Sequence, residues 1–351
     1  MVAEDSLTLD DALDVLKKHA TEADAASSWP AVSWDALRRC GALGWIIPPE
    51  YGGSGREGLE LLEGYQRLAG ACLTTCFLLS QRDAACRRLR DSGHEALSRE
   101  LLPALASGQR FATVGLAQLT TSRQHVRPVL TAQLDDNGVR LDGVMPWVTG
   151  AAHADHFLTG VVLDDGRQML LVVPRDAPGL SVGPPMELMA LQGSLTAEVR
   201  CDAVRVESRW ILAGPTERVL AGARGAGGLE TSGLALGLAQ SAIAYLQREA
   251  EKRAEWHHRA TACADSWTAL QEQLRQLVRE EADASATSQL RAKVNALVLR
   301  ATQFALAAGK GSGFLRSHPA QRWARQAMFF LVWSCPAPAL DATLTCLALP
   351  D

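Results

Sequence analysis

Apolar positions recur at helical spacing over residues 1–110, alternate with polar ones over 111–215, and return to helical spacing over 216–351. The first stretch opens with Thr8 and Asp11, spaced as a capping box before Leu13, Leu16 and Ala20. Ser33 is placed to cap a short helix that Gly41 ends. Leu43–Gly55, LGWIIPPEYGGSG, breaks the helical period with prolines and clustered glycines, so an ordered loop is expected. Helical patterns resume at Glu57–Ala71, Thr75–Arg90 and His94–Leu105.

At Phe111 the period falls to two. FATVGLAQL, VLTAQLDD and VRLDGVMPWV read as strands, with Asp136-Asn137-Gly138 as a hairpin turn between the last two. A second hairpin is expected around Asp165-Gly166. Consecutive strands without intervening helices argue against a parallel doubly wound sheet. Beyond Thr216 the pattern predicts helices over Thr216–Glu255, Asp265–Asp283, Ser288–Ala308, Ala320–Val332 and Ala339–Leu347. The expected architecture is α+β and multidomain: an N-terminal helical domain (1–110), a central antiparallel β-barrel-like domain (111–215) and a C-terminal four-helix bundle (216–351).

The totals narrow the function classes. A chain of 351 residues with 47% apolar residues suits two or three cored domains, and a net charge of −4 gives no reason to expect nucleic acid. No apolar run approaches the ~20 residues of a membrane span. The N-terminus is acidic and amphipathic, unlike a targeting peptide, so the cytoplasm is the expected compartment. The eight cysteines are scattered, and only Cys72 and Cys76 are close, without a nearby histidine, so buried thiols are expected rather than a metal site. His125, His153, His156, His257 and His258 are expected at the surface or in hydrogen bonds.

The chemically suggestive stretch is Val144–Asp155, VMPWVTGAAHAD. Trp147 and Thr149 stand two apart on a strand-like run, hence on one face, where an indole stacks on a flat ring and a hydroxyl bonds its polar edge. Trp and Thr are also ordinary strand residues. Two glycine-rich stretches carry no nucleotide motif. GKGSGF at Lys310 lacks the Gly-Lys-Ser/Thr ending, and neither it nor Gly222–Gly228 follows a strand.

The segments share a family order. IPPEYGGSG resembles P-E-x-Y-G-G-x-G, LLPALASGQ resembles L-P-x-L-A-x-G-x, and PWVTGAAHAD resembles W-I-T-N-x-x-x-A-D. CDAVRVESRWILAGP, GLALGLAQSAI and GKGSGF…HPAQRWARQA also find counterparts, so the chain resembles the acyl-CoA dehydrogenase family from about Trp29 to Leu347. The resemblance implies FAD between the β domain and the bundle. Trp147 would lie against the flavin ring, and Thr149 would bond its N5/O4 edge. Arg253 falls at an arginine that reaches a neighbouring subunit's FAD pyrophosphate, with Trp256 at the aromatic after it. An exposed helix charge is the plain alternative for Arg253. Gly309, Gly311 and Gly313 would let backbone approach the adenosine end. Arg325 falls at the arginine of R-D-A, with Gln326 replacing the aspartate, and a structural role is as open as a ligand contact. A homodimer or homotetramer follows from the resemblance, with an electron acceptor or reductase as partner.

Two departures matter. Ser334 stands where the family's glutamate base is commonest, and a hydroxyl is no base without an activator. The alternative position on the first bundle helix aligns with Gly227, but Glu230 lies one helical turn on, amid small and apolar residues. Desolvation there would raise its pKa toward that of a working base, with Thr231 orienting it or lining the pocket. The bland alternative is a first-turn carboxylate serving the helix dipole. The second departure is AQLTTSRQH, where the family has T-E-P-x-A-G-S-D. Thr120, Thr121 and Ser122 keep hydroxyls for flavin or phosphate, and Arg123 either meets a substrate phosphate or faces solvent.

These features lead to a flavin oxidoreductase that α,β-desaturates an acyl thioester on CoA or a carrier protein, with Glu230 as catalytic base and Arg123, Thr231 and Ser334 at the substrate. A flavin monooxygenase using reduced flavin and oxygen is the alternative on the same fold, and a degenerate flavin-binding module is the third.

Overall fold

The computed structural model describes residues 6–120, 129–221, 228–280 and 283–347. Five helices build the N-terminal domain: α1 (Leu9–Ala25), α2 (Ala31–Arg39), α3 (Gly58–Ala71), α4 (Leu73–Asp91) and α5 (Glu95–Ala106). The capping box forms as expected: the Thr8 hydroxyl accepts from Asp11 N–H at 3.1 Å, and the Asp11 carboxylate accepts from Thr8 N–H. Ser33 is not a cap. It lies inside α2, buried, because Pro30 starts that helix three residues earlier. The Leu43–Gly55 loop is two 3₁₀ turns, Ala42–Gly44 and Pro49–Tyr51. Gly53 permits that fold, since a Cβ there would stand 1.9 Å from the Ile47 carbonyl oxygen.

The central domain carries β1 (Ala112–Gly115), a helical turn α6 (Ala117–Thr120), β2 (Leu130–Asp135), β3 (Gly138–Val148), β4 (His156–Leu163), β5 (Gln168–Pro174), β6 (Leu180–Val182), β7 (Ala197–Glu207) and β8 (Ile211–Thr216). Both hairpins appear, β2–β3 in the register Asp135 to Gly138 and β4–β5 across the Asp165-Gly166 turn. The barrel-like expectation is corrected: the sheet is open, in the order β6-β7-β3-β2-β4-β5-β8, with β1 added on β4. Two pairings, β1–β4 and β2–β4, are parallel. Hairpin signals report only pairings between sequence neighbours, and neither of these is one.

The C-terminal domain is a bundle of α7 (Leu229–Lys252), α8 (His257–Arg279), α9 (Ala284–Ala308) and α11 (Pro319–Phe329), with the short α10 (Lys310–Gly313) and a last helix α12 (Ala337–Leu347) against α9. The first of these helices starts later than its apolar period, because Thr216 still belongs to β8. Helix α7 is buried on most sides and packs on α3 as well as on α8 and α9. That closeness depends on small residues: a Cβ at Gly237 would fall 2.1 Å from the Gln66 carbonyl oxygen, and the Ser241 hydroxyl donates to the Gly70 carbonyl at 2.7 Å. Among the described residues no helix is long and apolar enough to cross a membrane.

Candidate functional site

Strand β3 ends at Val148, and this decides the geometry of the Trp147–Thr149 pair. Its pairing with β7 shifts register between Met145 and Val148, and Gly150 then turns the chain with φ +69°. The two members of the pair differ in exposure: the Trp147 indole is 54% exposed while Thr149 is buried. The Thr149 hydroxyl lies 3.4 Å from that of Thr196, which is 2.9 Å from that of Ser194. The Thr149 carbonyl accepts from the Thr113 hydroxyl at 2.8 Å, and the Gly150 N–H donates to the Ser194 carbonyl at 2.8 Å. Ser194 and Thr196 were not apparent as site residues in the sequence, because only the folded turn brings them to the end of β3.

Glu230 sits in the first turn of α7, but not as the lone carboxylate in apolar surroundings that its local sequence implied. Helix α4 carries Arg87 onto it, and the guanidinium takes both carboxylate oxygens, Nη2 to Oε2 at 2.7 Å and Nη1 to Oε1. The desolvated setting is thus corrected, since a partner helix supplies a cation that one element's sequence does not reveal. Thr231 beside it is buried. Behind this pair, Tyr65 donates its phenolic proton to Asp83 at 2.5 Å and Arg82 bonds the other oxygen at 2.6 Å. Burial pushes the Asp83 carboxyl above its ordinary value, against the pull of Arg82.

Arg253 is not a free helix charge. Its Nη2 donates to Glu249 at 2.6 Å and to the Ala308 carbonyl, and its guanidinium lies 5.9 Å from the Trp256 ring centroid. Arg259 approaches the same ring at 5.7 Å. The close approach at Gly309 and Gly313 is internal, for a Cβ at Gly309 would meet the Gly313 Cα at 2.8 Å. Gly311 alone of the three has open space around it.

Ser334 has φ +45°, an unusual backbone for a serine. The turn before it is held from inside: Arg291, fully buried on α9, donates to the Phe330 carbonyl at 3.1 Å, to the Trp333 carbonyl at 3.2 Å and to Asn295 at 2.8 Å. Burial lowers the Arg291 guanidinium to about 10. Its trace in the sequence is a polar i,i+4 pair, Arg291 and Asn295, inside an apolar period.

Arg325 is bonded within the fold. It donates to Asp24 at 2.7 Å, to Gln321 at 3.0 Å and to the Met189 carbonyl at 2.6 Å. Gln326 also donates to Asp24, at 2.8 Å, so the carboxylate missing from this helix is supplied by α1. His156 is not a surface residue: it is buried on β4 beside Trp210, and its Nδ1 has no partner. His153 stacks on Trp29 with ring centroids 4.3 Å apart. No group of three or more His, Cys, Asp or Glu able to hold a metal occurs among the described residues. Thr121, Ser122, Arg123 and His125, like Gly227, lie outside the described residues, as does the side chain of Thr120.

An open β domain between two helical domains defines the acyl-CoA dehydrogenase fold, and the comparisons agree. Residues 11–109 match the acyl-CoA dehydrogenase N-terminal domain. A probable acyl-CoA dehydrogenase, YngJ of Bacillus subtilis, is 27% identical over 233 residues, 64% of this chain. The chain spans 61% of that relative's length. Butyryl-CoA dehydrogenase from Megasphaera elsdenii superposes with a TM-score of 0.82 at 18% identity, covering 98% of this chain and all of the other. KijD3, in complex with FMN and a dTDP-linked amino keto sugar, superposes with a TM-score of 0.76 at 22% identity, covering 97% and 91%. The chain is thus similar to the acyl-CoA dehydrogenases, in sequence over its N-terminal domain and in fold over nearly its whole length.

Proposed function

We propose that the protein is an FAD-dependent oxidoreductase of acyl-CoA dehydrogenase type that α,β-desaturates an acyl thioester carried by CoA or a carrier protein. The observation that carries this reading is Trp147, a large indole more than half exposed near the end of β3, with the buried hydroxyl of Thr149 two residues on. Bound FAD supplies the acceptor for the hydride that leaves the substrate's β-carbon. The chain's own residues fit such a group: Trp147 offers a stacking face, Thr149 a polar contact and Gly311 backbone without a covering side chain. Arg253 would serve a pyrophosphate through its Nη1 and Nε, because Nη2 is already taken by Glu249 and Ala308. Thr120, Thr121 and Ser122 are proposed at the flavin or its phosphates, Trp256 and Gly309 beside the adenosine half, and Arg123 at a substrate phosphate.

Desaturation needs a base for the α-proton, and Glu230 is the carboxylate we assign to it, with Thr231 beside it and Ser334 toward the substrate. The Arg87 guanidinium, reaching across from α4, holds that carboxylate in place. Exposed Phe314, Leu315 and Val332 on the bundle give an apolar surface suited to a second copy of the chain, in a homodimer or homotetramer. A separate electron acceptor and a cytoplasmic setting complete the proposal.

A second reading, a flavin monooxygenase fed with reduced flavin, is favoured by the same two residues. Ser334 is no base and Glu230 is engaged by Arg87, whereas oxygen chemistry requires no carboxylate at either position. Anaerobic mixing of the FAD-loaded protein with acyl-CoA and acyl-carrier-protein substrates separates the two. Bleaching of the flavin colour supports desaturation. No bleaching, with oxygen-dependent turnover on added reduced flavin, supports the monooxygenase, and a colourless protein that takes up no FAD overturns both.

A further inference from the structure

We infer that Cys335 is an oxidation site, at which hydrogen peroxide turns the thiol into a sulfinate whose negative charge the buried Arg291 guanidinium takes up. The inference is independent of the flavin reading. Arg291 is fully buried, and among the described residues no carboxylate acts on it; the Cys335 thiol is the ionisable group that does. The Phe330 and Trp333 carbonyls and the Phe330 ring, 5.6 Å from the guanidinium carbon, meet the cation with partial charges only. Its Nη1 has no hydrogen-bond partner. A buried charge is costly unless it is paired, and a buried donor without an acceptor adds to that cost. The site therefore lacks one anion.

Cys335 is placed to supply it. Asn295 accepts from Arg291 Nε at 2.8 Å, and its side chain also reaches the Cys335 sulfur. Between the Trp333 carbonyl that Arg291 holds and Cys335 stands Ser334 at φ +45°, a backbone that persists only where its surroundings over-determine it. Cys335 is half-buried, so a small oxidant reaches it. Burial pushes its thiol up, against the pull of Arg291 and Asn295, which keeps the reduced site uncharged near neutrality. A sulfinic acid is ionised at such a pH, so the charge appears on oxidation. Cys40 is half-buried too, but its neighbouring arginine, Arg56, already pairs with Glu60 at 3.2 Å. The chemistry balances. The thiolate attacks one peroxide oxygen, so an S–O bond forms, the O–O bond breaks and hydroxide leaves with its electron pair. The sulfenate repeats this on a second peroxide, and each hydroxide is protonated to water by the acid formed with it. Each step oxidises the sulfur by two electrons and reduces one peroxide.

The test uses the full chain. A modest excess of hydrogen peroxide should add two oxygen atoms to Cys335, read by tandem mass spectrometry after thiol reduction, which does not reverse a sulfinate. The oxidised protein should unfold at a higher temperature, whereas Cys335→Ser should keep its own midpoint under the same treatment. Cys335→Asp carries a fixed carboxylate at that place and should raise the midpoint without peroxide. In Arg291→Met, which removes the cation and keeps much of the volume, Cys335→Asp should lower it. Sulfinate should also form there roughly ten-fold more slowly, the scale of one charge-assisted hydrogen bond. If Cys335 is still a thiol once the exposed Cys346 has been oxidised, the inference is overturned. The same midpoint shift for Cys335→Asp with and without Arg291 also overturns it. Should Arg291→Met fail to fold, Cys335→Asp and the peroxide-treated parent decide: raised midpoints sustain the inference, and unchanged or lowered ones overturn it.

Discussion

The Arg87 guanidinium closes on both carboxylate oxygens of Glu230, tying the fourth helix of the N-terminal domain to the first helix of the bundle. The contact has two measurable consequences. Glu230→Gln should abolish flavin reduction by an acyl thioester while FAD remains bound, and unchanged reduction would remove Glu230 as the base. Arg87→Leu removes the group that holds the carboxylate in place, so the rate of flavin reduction should fall while FAD remains bound, and an unchanged rate would show that the ion pair does not serve the reaction. In denaturant unfolding, the double-mutant coupling of the pair should be on the order of 1 kcal/mol and weaken with salt, because the Glu230 side chain is 38% exposed.

Asp24 joins all three domains. From α1 it accepts the Leu191 N–H of the β domain at 2.9 Å and the side chains of Arg325 and Gln326 on α11. Asp24→Ala leaves three donors without their buried acceptor and should destabilise the protein by roughly 2–4 kcal/mol. A lowered urea midpoint at unchanged slope checks this. Arg325→Gln should lose less, since Gln326 and Leu191 keep their bonds. FAD affinity unaffected by Arg325→Gln would agree with its structural role.

What could be read in advance follows from how local each determinant is. The capping box of Thr8 and Asp11, the Asn137-Gly138 turn and the change of period at Phe111 are decided within a few residues, and all were legible. The parallel pairing of β1 with β4 joins segments separated by the β2–β3 hairpin, and no local pattern encodes it. At the site, Trp147 and Thr149 were legible as a pair, but their environments were not, because these depend on where β3 stops. Glu230 was visible as an isolated carboxylate. Arg87 was only one arginine in the basic run CRRLRD, and nothing in that run marks the one that crosses to α7.

His156 supplies a pH dependence with a definite sign. Burial, then Arg110, lowers its pKa from the ordinary 6.5, against weaker pulls from Asp155, Glu100 and Asp176. Burial and Arg175 lower His153 in the same direction. Below pH 6.5 the unfolded chain takes up these protons before the folded one does, so stability should fall with pH from about 6.5 downward. Above that pH both states hold neutral rings, and the two histidines contribute no slope. His156→Phe should flatten the acid side of a Tm-against-pH curve. An unchanged curve would show that the buried ring is not what titrates.

Two glycines one helical turn apart on α7 should respond in opposite ways to the same substitution. A Cβ at Gly237 would stand 2.1 Å from the Gln66 carbonyl oxygen and 3.1 Å from the Ala69 side chain, so α3 would have to move away from α7. The obstacle at 2.1 Å is backbone, which cannot rotate aside. Gly237→Ala should therefore destabilise by at least 2 to 3 kcal/mol, on the order of an overpacked core, and should weaken FAD binding if the domains separate. At Gly233 the nearest atoms to an added Cβ are the Leu62 side chain at 3.7 Å and the Leu62 carbonyl at 3.9 Å, ordinary contact distances. There the methyl fills space and restricts the unfolded chain, so Gly233→Ala should stabilise by about 0.5–1 kcal/mol. Thermal unfolding of the two variants side by side isolates helix packing from helix propensity. Equal effects of the same sign would mean that α3 and α7 do not approach as closely as the Gly237–Gln66 contact requires.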